Sequence, residues 1–375
     1  MARIAVIDDA IHDRLLPQPV AERYCLRDGV FDRAGPCGET GLSHGTLVAS
    51  VLAQYAQAYE LISVQIVGNW FETRRCPSGR LCQALDFCAE IGCDVVNVSL
   101  GSKRLSGGRG MAPAIRRLAR AGIPVIAACS NTFHRTVPAA QPGVLGVVCD
   151  PAQHLVPGAY ACAQNPYLGT EYIANYELTL PGLMDAHRSN SLAAAVLTAR
   201  VNNLLGCSGA SRDGLAAALC DGAAVYGPSA VSALAGADCD SVPVVYLAGV
   251  LHDQPEEQIA LLDLFCDSGY EVLGVSDRRL SQDARFLDRA AVGHGPAREM
   301  QQRLCACAKV DLILVFAPFD WFSTLDWDGF DADAAAIVST ADASNAIPMG
   351  FARQQYAVSR RSDAQFLYHY LLRVL

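Results

Sequence analysis

At 375 residues the chain is long for one hydrophobic core and comfortable for two domains. It is 51% apolar and only 18% charged, which excludes a disordered polypeptide. The net charge of −9 leaves no basic stripe for phosphates or for an anionic bilayer surface, so neither nucleic acid nor a membrane is an expected partner.

Met1-Ala2-Arg3-Ile4-Ala5-Val6-Ile7-Asp8 runs straight into a short apolar strand ending in a carboxylate, the mark of a buried parallel strand. It lacks the longer apolar stretch of a signal peptide, and no later apolar run is long enough for a bilayer. With 15 cysteines and no export signal, the expectation is a cytoplasmic protein with free thiols. No Cys-x-x-Cys pair occurs, and Cys88 with Cys93, or Cys305 with Cys307, are poorly spaced for zinc. Neither a metal nor a cofactor is expected.

Residues 10–43 read as loop, rich in proline and glycine. Ser43-His44-Gly45-Thr46 then opens an apolar helix expected to reach about Tyr59. A strand is expected over 61–67, a helix over about 80–91, and a strand from Asp94 stopped by Gly101. A helix follows over about 112–121, then strands over 123–129 and 144–149. Helices are expected over 191–205 and 211–220. Strands alternating with helices predict an α/β fold with a mainly parallel sheet and helices on both faces. Residues 226–241, rich in Ala, Gly, Ser and Asp, read as a linker between a domain at 1–225 and a smaller Rossmann-like α/β domain at 242–375. That second domain has strands expected at 242–250, 271–275 and 311–316 and a last helix at 362–375. It carries neither a dinucleotide glycine fingerprint nor a Walker lysine. Asp277 stands where a ribose-binding acid would follow the second strand, but a binding or dimerisation module is the preferred reading.

Read alone, His44 is a helix cap. Its context adds chemistry: Asp8 ends a strand upstream and Ser191 opens a small-residue helix downstream, the order Asp, His, Ser of one known triad. A serine hydroxyl needs an adjacent base, and the base needs a third group to fix its tautomer. In a parallel sheet such residues gather beyond the carboxyl ends of the strands.

Several segments together resemble the subtilases. Ile4-Ala5-Val6-Ile7-Asp8 resembles their aspartate segment, and Ser43-His44-Gly45-Thr46 with Val48-Ala49 their histidine segment. Asn97-Val98-Ser99-Leu100-Gly101 resembles the strand that holds substrate. Ala127-Ala128-Cys129-Ser130-Asn131 resembles the oxyanion segment, followed by a proline-flanked stretch from Val137 to Val147. Ser191-Leu192-Ala193 sits at the nucleophile segment.

The resemblance covers about residues 1–225. It implies that Asp8 orients, that His44 is general base then acid, and that Ser191 attacks. It also implies that Asn131 donates to the oxyanion, and that Ser99, Leu100, Gly101, Ala128 and Cys129 meet the substrate. Asp9 takes the place of a small polar residue. Ser189-Asn190 replaces the usual Gly-Thr before the serine, and Ala195 replaces a proline; a serine at 189 resists backbone angles that glycine allows. Shortened loops imply no structural calcium, and the missing propeptide implies no autocatalytic maturation. Asn97 in Asn-Val-Ser is a formal glycosylation acceptor, set aside as buried. Lys103, Arg104, His134 and Arg135 read as solvated surface, as do His12, His154 and His187.

Two functions follow. The first is a serine endopeptidase acting on a peptide or precursor protein, by analogy one that removes the leader of a ribosomal natural-product precursor. The alternative is an impaired scaffold that binds a precursor or a partner enzyme. A homodimer or a biosynthetic partner enzyme fits either.

Overall fold

The computed structural model describes residues 1–36, 42–68, 76–178, 189–207, 214–226, 242–277, 280, 283–292, 296–326, 335–340, 354–358 and 363–374. The expected linker falls almost wholly outside them, as do His187 and the residues from Thr179 to Arg188. The chain divides into two compact units. One holds most of residues 1–232; the other holds 233–375 with two short excursions, Lys103–Ser106 and Pro166–Leu168.

The first unit is built on a nine-stranded sheet in the order β3-β2-β4-β1-β5-β6-β7-β9-β8. Its strands are β1 (Ala2–Asp8), β2 (Glu22–Arg27), β3 (Val30–Arg33), β4 (Tyr59–Gln65), β5 (Val95–Val98), β6 (Val125–Ala128), β7 (Val144–Cys149), β8 (Tyr160–Asn165) and β9 (Thr170–Ala174). The six central pairings, from β2–β4 to β7–β9, are parallel; only the two edge hairpins, β2–β3 and β8–β9, are antiparallel. The helices are α1 (His44–Tyr55), α2 (Ser78–Glu90), α3 (Gly108–Arg120), α4 (Asn190–Cys207) and α5 (Leu215–Asp221).

Strand β1 shows why the sheet lies in the middle. Ile4 and Val6 share a core with Leu47, Val48 and Val51 of α1 and with the Ala193-Ala194-Ala195 run of α4. Ala5 and Ile7 point the other way and are equally buried. A parallel sheet covered on both faces requires this unbroken apolar strand. The alanines of α4 let it lie close against α1 and over β5, β6 and β7.

Three expectations are corrected, and one hairpin lies where none was expected. Helix α1 stops at Tyr55, because Ala56 is extended and Ala58 takes a positive φ of 46°, so Tyr59 begins β4. Residues 22–33 are a hairpin, not loop: Asp28-Gly29, with φ of 46° and 81°, supply the two left-handed positions of a tight turn. The β8–β9 hairpin was likewise unforeseen, and here too Gly169 with φ of 70° sits in the turn. The strand after Asp94 ends at Val98, before Gly101.

The second unit contains a six-stranded, wholly parallel sheet of β10 (Val244–Ala248), β11 (Val272–Ser276), β12 (Phe286–Asp288), β13 (Leu312–Ala317), β14 (Ala335–Thr340) and β15 (Gln354–Val358). Its helices are α6 (Pro255–Asp267), α7 (Arg289–Val292), α8 (Ala297–Cys307), α9 (Phe319–Ser323) and α10 (Ala364–Val374). The strand order β12-β11-β13-β10-β14-β15 departs from the Rossmann arrangement, because β13 lies between β10 and β11. Asp277, after β11, is therefore a full strand removed from the end of β10, and the ribose-binding placement is lost. The end of β10 is itself filled: a side chain on Gly249 would lie 2.2 Å from the Phe319 ring.

Candidate active site

Asp8 and His44 come together because β1 ends where α1 begins. Ser43 caps α1, its Oγ accepting the N–H of Thr46 at 3.2 Å. Asp9 caps it a second time, its carboxylate accepting the N–H of Gly45 at 2.6 Å and of His44 at 3.2 Å. An acid here also suits the positive end of the helix dipole. Such close docking explains the glycine after the histidine. A Cβ on Gly45 would lie 2.8 Å from the Asp9 carbonyl oxygen and 3.2 Å from the Asp8 Cβ.

The two adjacent acids thus do different work. Asp8 is fully buried, and its Oδ1 and Oδ2 lie 2.8 and 2.9 Å from His44 Nδ1. Asp8 Oδ1 also accepts the N–H of Asp9 at 2.8 Å, which fixes the carboxylate. The Nδ1–H donated to Asp8 sets the ring tautomer and makes Nε2 the basic nitrogen of neutral His44. Burial of the imidazole lowers its pKa, but the charge and hydrogen bond of Asp8, with the charge of Asp9, outweigh it. The His44 pKa stands above the ordinary histidine value.

Ser191 lies in the first turn of α4 and is buried with His44. Its Oγ donates to the carbonyl oxygen of Ser99 at 3.2 Å, and its backbone N–H to Ser189 Oγ at 3.3 Å. Ser99 in turn donates its hydroxyl to Asn97 Oδ1 at 3.0 Å, and Asn97 Nδ2 donates to Thr198 Oγ1 of α4 at 2.8 Å. Asn97 is fully buried in this chain of bonds, which disposes of glycosylation.

Asn131 is exposed beyond β6, and its Oδ1 accepts the backbone N–H of Asn190 at 2.8 Å. Asn190 is the residue whose weight the sequence underplayed. Its side chain is buried, with Oδ1 accepting the Cys149 N–H at 2.8 Å and Nδ2 donating to the Cys129 carbonyl at 3.0 Å. Its amide chemistry and its place beside Ser191 were the available signals.

Of the segments expected to meet substrate, Gly101 is exposed and Leu100 is buried. Ser102 next to them forms an antiparallel bridge to Val137 through two bonds of 2.8 and 3.0 Å. Ala128 and Cys129 are buried, and burial pushes the Cys129 thiol up to about 12. The Cys129 N–H is held by the Val147 carbonyl at 2.9 Å and its own carbonyl by Asn190, so its backbone is engaged within the protein. Arg135 overturns the solvated reading: it is 5% exposed and its guanidinium reaches the Ala140 carbonyl at 3.5 Å. His12 and His134 are half-buried rather than fully solvated, while His154 is exposed. Among the described residues no three His, Cys, Asp or Glu side chains gather as a metal site, and no helix is long and apolar enough to cross a membrane.

No protein-family model matches the chain, and no curated protein matches it. Solved structures similar to it include the prenylagaramide maturation protease PagA, at 20% identity over 54% of this chain and 74% of that one, TM-score 0.41. The epidermin leader peptide processing serine protease EpiP from Staphylococcus aureus is similar at 14% identity, over 58% and 68%, TM-score 0.45. The nisin leader peptidase NisP from Lactococcus lactis is similar at 14% identity, over 60% and 84%, TM-score 0.43.

Proposed function

We propose that the first unit is a serine endopeptidase with Ser191 as nucleophile, His44 as general base then acid, Asp8 as the orienting carboxylate and Asn131 as oxyanion donor. The observation that carries this reading is the buried Asp8–His44 pair at 2.8 Å, built at a helix start packed against the helix that bears Ser191. In the reaction, Ser191 Oγ leaves the Ser99 carbonyl, passes its proton to His44 Nε2 and attacks the scissile carbonyl carbon. The resulting oxyanion accepts hydrogen bonds from Asn131 Nδ2 and the Ser191 N–H. The imidazolium, stabilised by Asp8, then protonates the departing amine. Water hydrolyses the acyl-enzyme by the same proton path in reverse.

The substrate is an extended peptide laid along Ser99, Leu100 and Gly101. The subtilase-like motif set, with a second α/β unit attached, supports a precursor peptide and removal of its leader. The second unit serves as the binding or dimerisation module. Incubation with a fluorophosphonate, with Ser191→Ala as control, tests the reading. Well-folded protein that gives no Ser191-dependent adduct would sink it.

One observation favours a second reading, a scaffold that binds a precursor without cutting it. The Ser191 hydroxyl and N–H are both taken up within the protein, by Ser99 and Ser189. Precursor binding that is tight and leaves the peptide whole would select this reading.

A further inference from the structure

The pair Ser189-Asn190 breaks the subtilase-like pattern, yet the buried Asn190 side chain uses both its acceptor and its donor at the site. The parallel ladder of β6 and β7 runs to Ala128 and Val147, and Cys129 still donates to the Val147 carbonyl at 2.9 Å. Its next rung would join the Cys149 N–H to the Cys129 carbonyl. The Asn190 carboxamide occupies that rung, accepting from Cys149 with Oδ1 and donating to Cys129 with Nδ2. An amide side chain has the donor and acceptor that a missing peptide rung leaves unpaired; a carboxylate has no donor. The strands part at the place where the Asn131 segment leaves β6.

The same residue acts through its backbone. The Asn190 N–H can only donate, so its bond fixes Asn131 with Oδ1 inward and Nδ2 as the outward-facing group. We propose that Asn190 is the positioning residue of this site. It wedges β6 from β7, fixes the first turn of α4 that carries Ser191, and presents the Asn131 amide to the developing oxyanion. This rests on the peptidase reading for its consequence in turnover, and on geometry alone for the orientation of Asn131.

The test uses the full chain with Asn190→Ala, Asn190→Asp and Asn190→Thr. Removing an oxyanion donor costs about 10²- to 10³-fold in turnover. Asn190→Ala is expected to lose that much in kcat and in fluorophosphonate labelling rate, with little change in KM. Asn190→Thr, whose hydroxyl can both donate and accept, should recover part of the loss. Asn190→Asp should approach wild type as pH falls, because only its protonated carboxyl can donate to Cys129. A purely structural role would not produce that pH dependence.

Amide-exchange NMR on the same proteins needs no turnover. The residue 190 amide proton is expected to exchange slowly in the wild type and faster in Asn131→Ala, and the Asn131 carboxamide signals should shift in Asn190→Ala. Unlabelled wild type with these signals would defeat the peptidase reading while upholding the positioning of Asn131. Unchanged Asn131 signals in folded Asn190→Ala would overturn the proposal. So would equal loss in all three variants, tracking their loss of folded protein.

Discussion

Replacing Gly45 by alanine isolates the docking of α1 on β1. The added Cβ would lie 2.8 Å from the Asp9 carbonyl oxygen, 3.0 Å from Asp9 Oδ1 and 3.2 Å from Asp8 Cβ. Ordinary contact needs about 3.5 Å, so the helix start must retreat by roughly half an ångström. Overpacking of this kind costs about 1–3 kcal/mol, and the gain of alanine over glycine in a helix returns at most about 1 kcal/mol. The net destabilisation is therefore about 0–3 kcal/mol. The effect on chemistry is larger, since His44 moves with the helix while Asp8 stays on the strand. A misplacement near 1 Å costs about 10²-fold, so half of that predicts a loss of about 10-fold. Urea unfolding and the rate of fluorophosphonate labelling measure the two effects on one preparation. Wild-type labelling by Gly45→Ala would refute the claim that close approach of helix and strand sets the Asp8–His44 geometry.

Other consequences concern protons, caps and the second unit. With the His44 pKa raised, kcat/KM should climb with pH through a midpoint above about 6.5. The stability that this histidine contributes is present below about 6.5 and is lost as pH rises through the folded value. Asp8→Asn removes the main upward influence and leaves burial, so the midpoint should fall and the plateau drop by about 10⁴-fold; an unmoved midpoint would dissociate Asp8 from His44. Ser189→Gly frees the Ser191 N–H at a cost of a few tenths of a kcal/mol in capping. Labelling should quicken by about 2- to 10-fold, and a slower rate would make Ser189 Oγ a helper rather than a competitor. In the second unit Arg285 is 1% exposed and paired with Asp263 and Asp283. Arg285→Met leaves both acids behind and should cost about 3 kcal/mol, the low end for a broken buried pair because those acids are partly solvated. Calorimetry reads this as a lower transition temperature.

The central strands were legible because a doubly covered parallel strand is almost continuously apolar, as Ile4 to Ile7 is and as Val95 to Val98 is but for Asn97. The placement of the candidate residues Asp8, His44 and Ser191 was legible for a related reason: their segments sit at a strand end and at helix starts, where local sequence dictates the caps. The edge hairpins were not, since half-exposed strands such as Val30–Arg33 lose the apolar signal, although Asp28-Gly29 carried a turn signature. Asp9 and Asn190 looked like departures from a pattern. Their roles depend on partners 35 or more residues away, His44 for one and Cys149 and Cys129 for the other. Arg135 was misplaced for the same reason, its burial being set by tertiary packing. The strand order of the second unit, with β13 between β10 and β11, has no local signature at all.

The most direct test of the account is the site of covalent attachment after fluorophosphonate treatment of the full chain, read by peptide mass spectrometry. The account predicts a single phosphonylated residue, Ser191, with labelling lost in His44→Ala and slowed in Asn131→Ala. Attachment at another serine, or a folded protein that stays unlabelled, would contradict it.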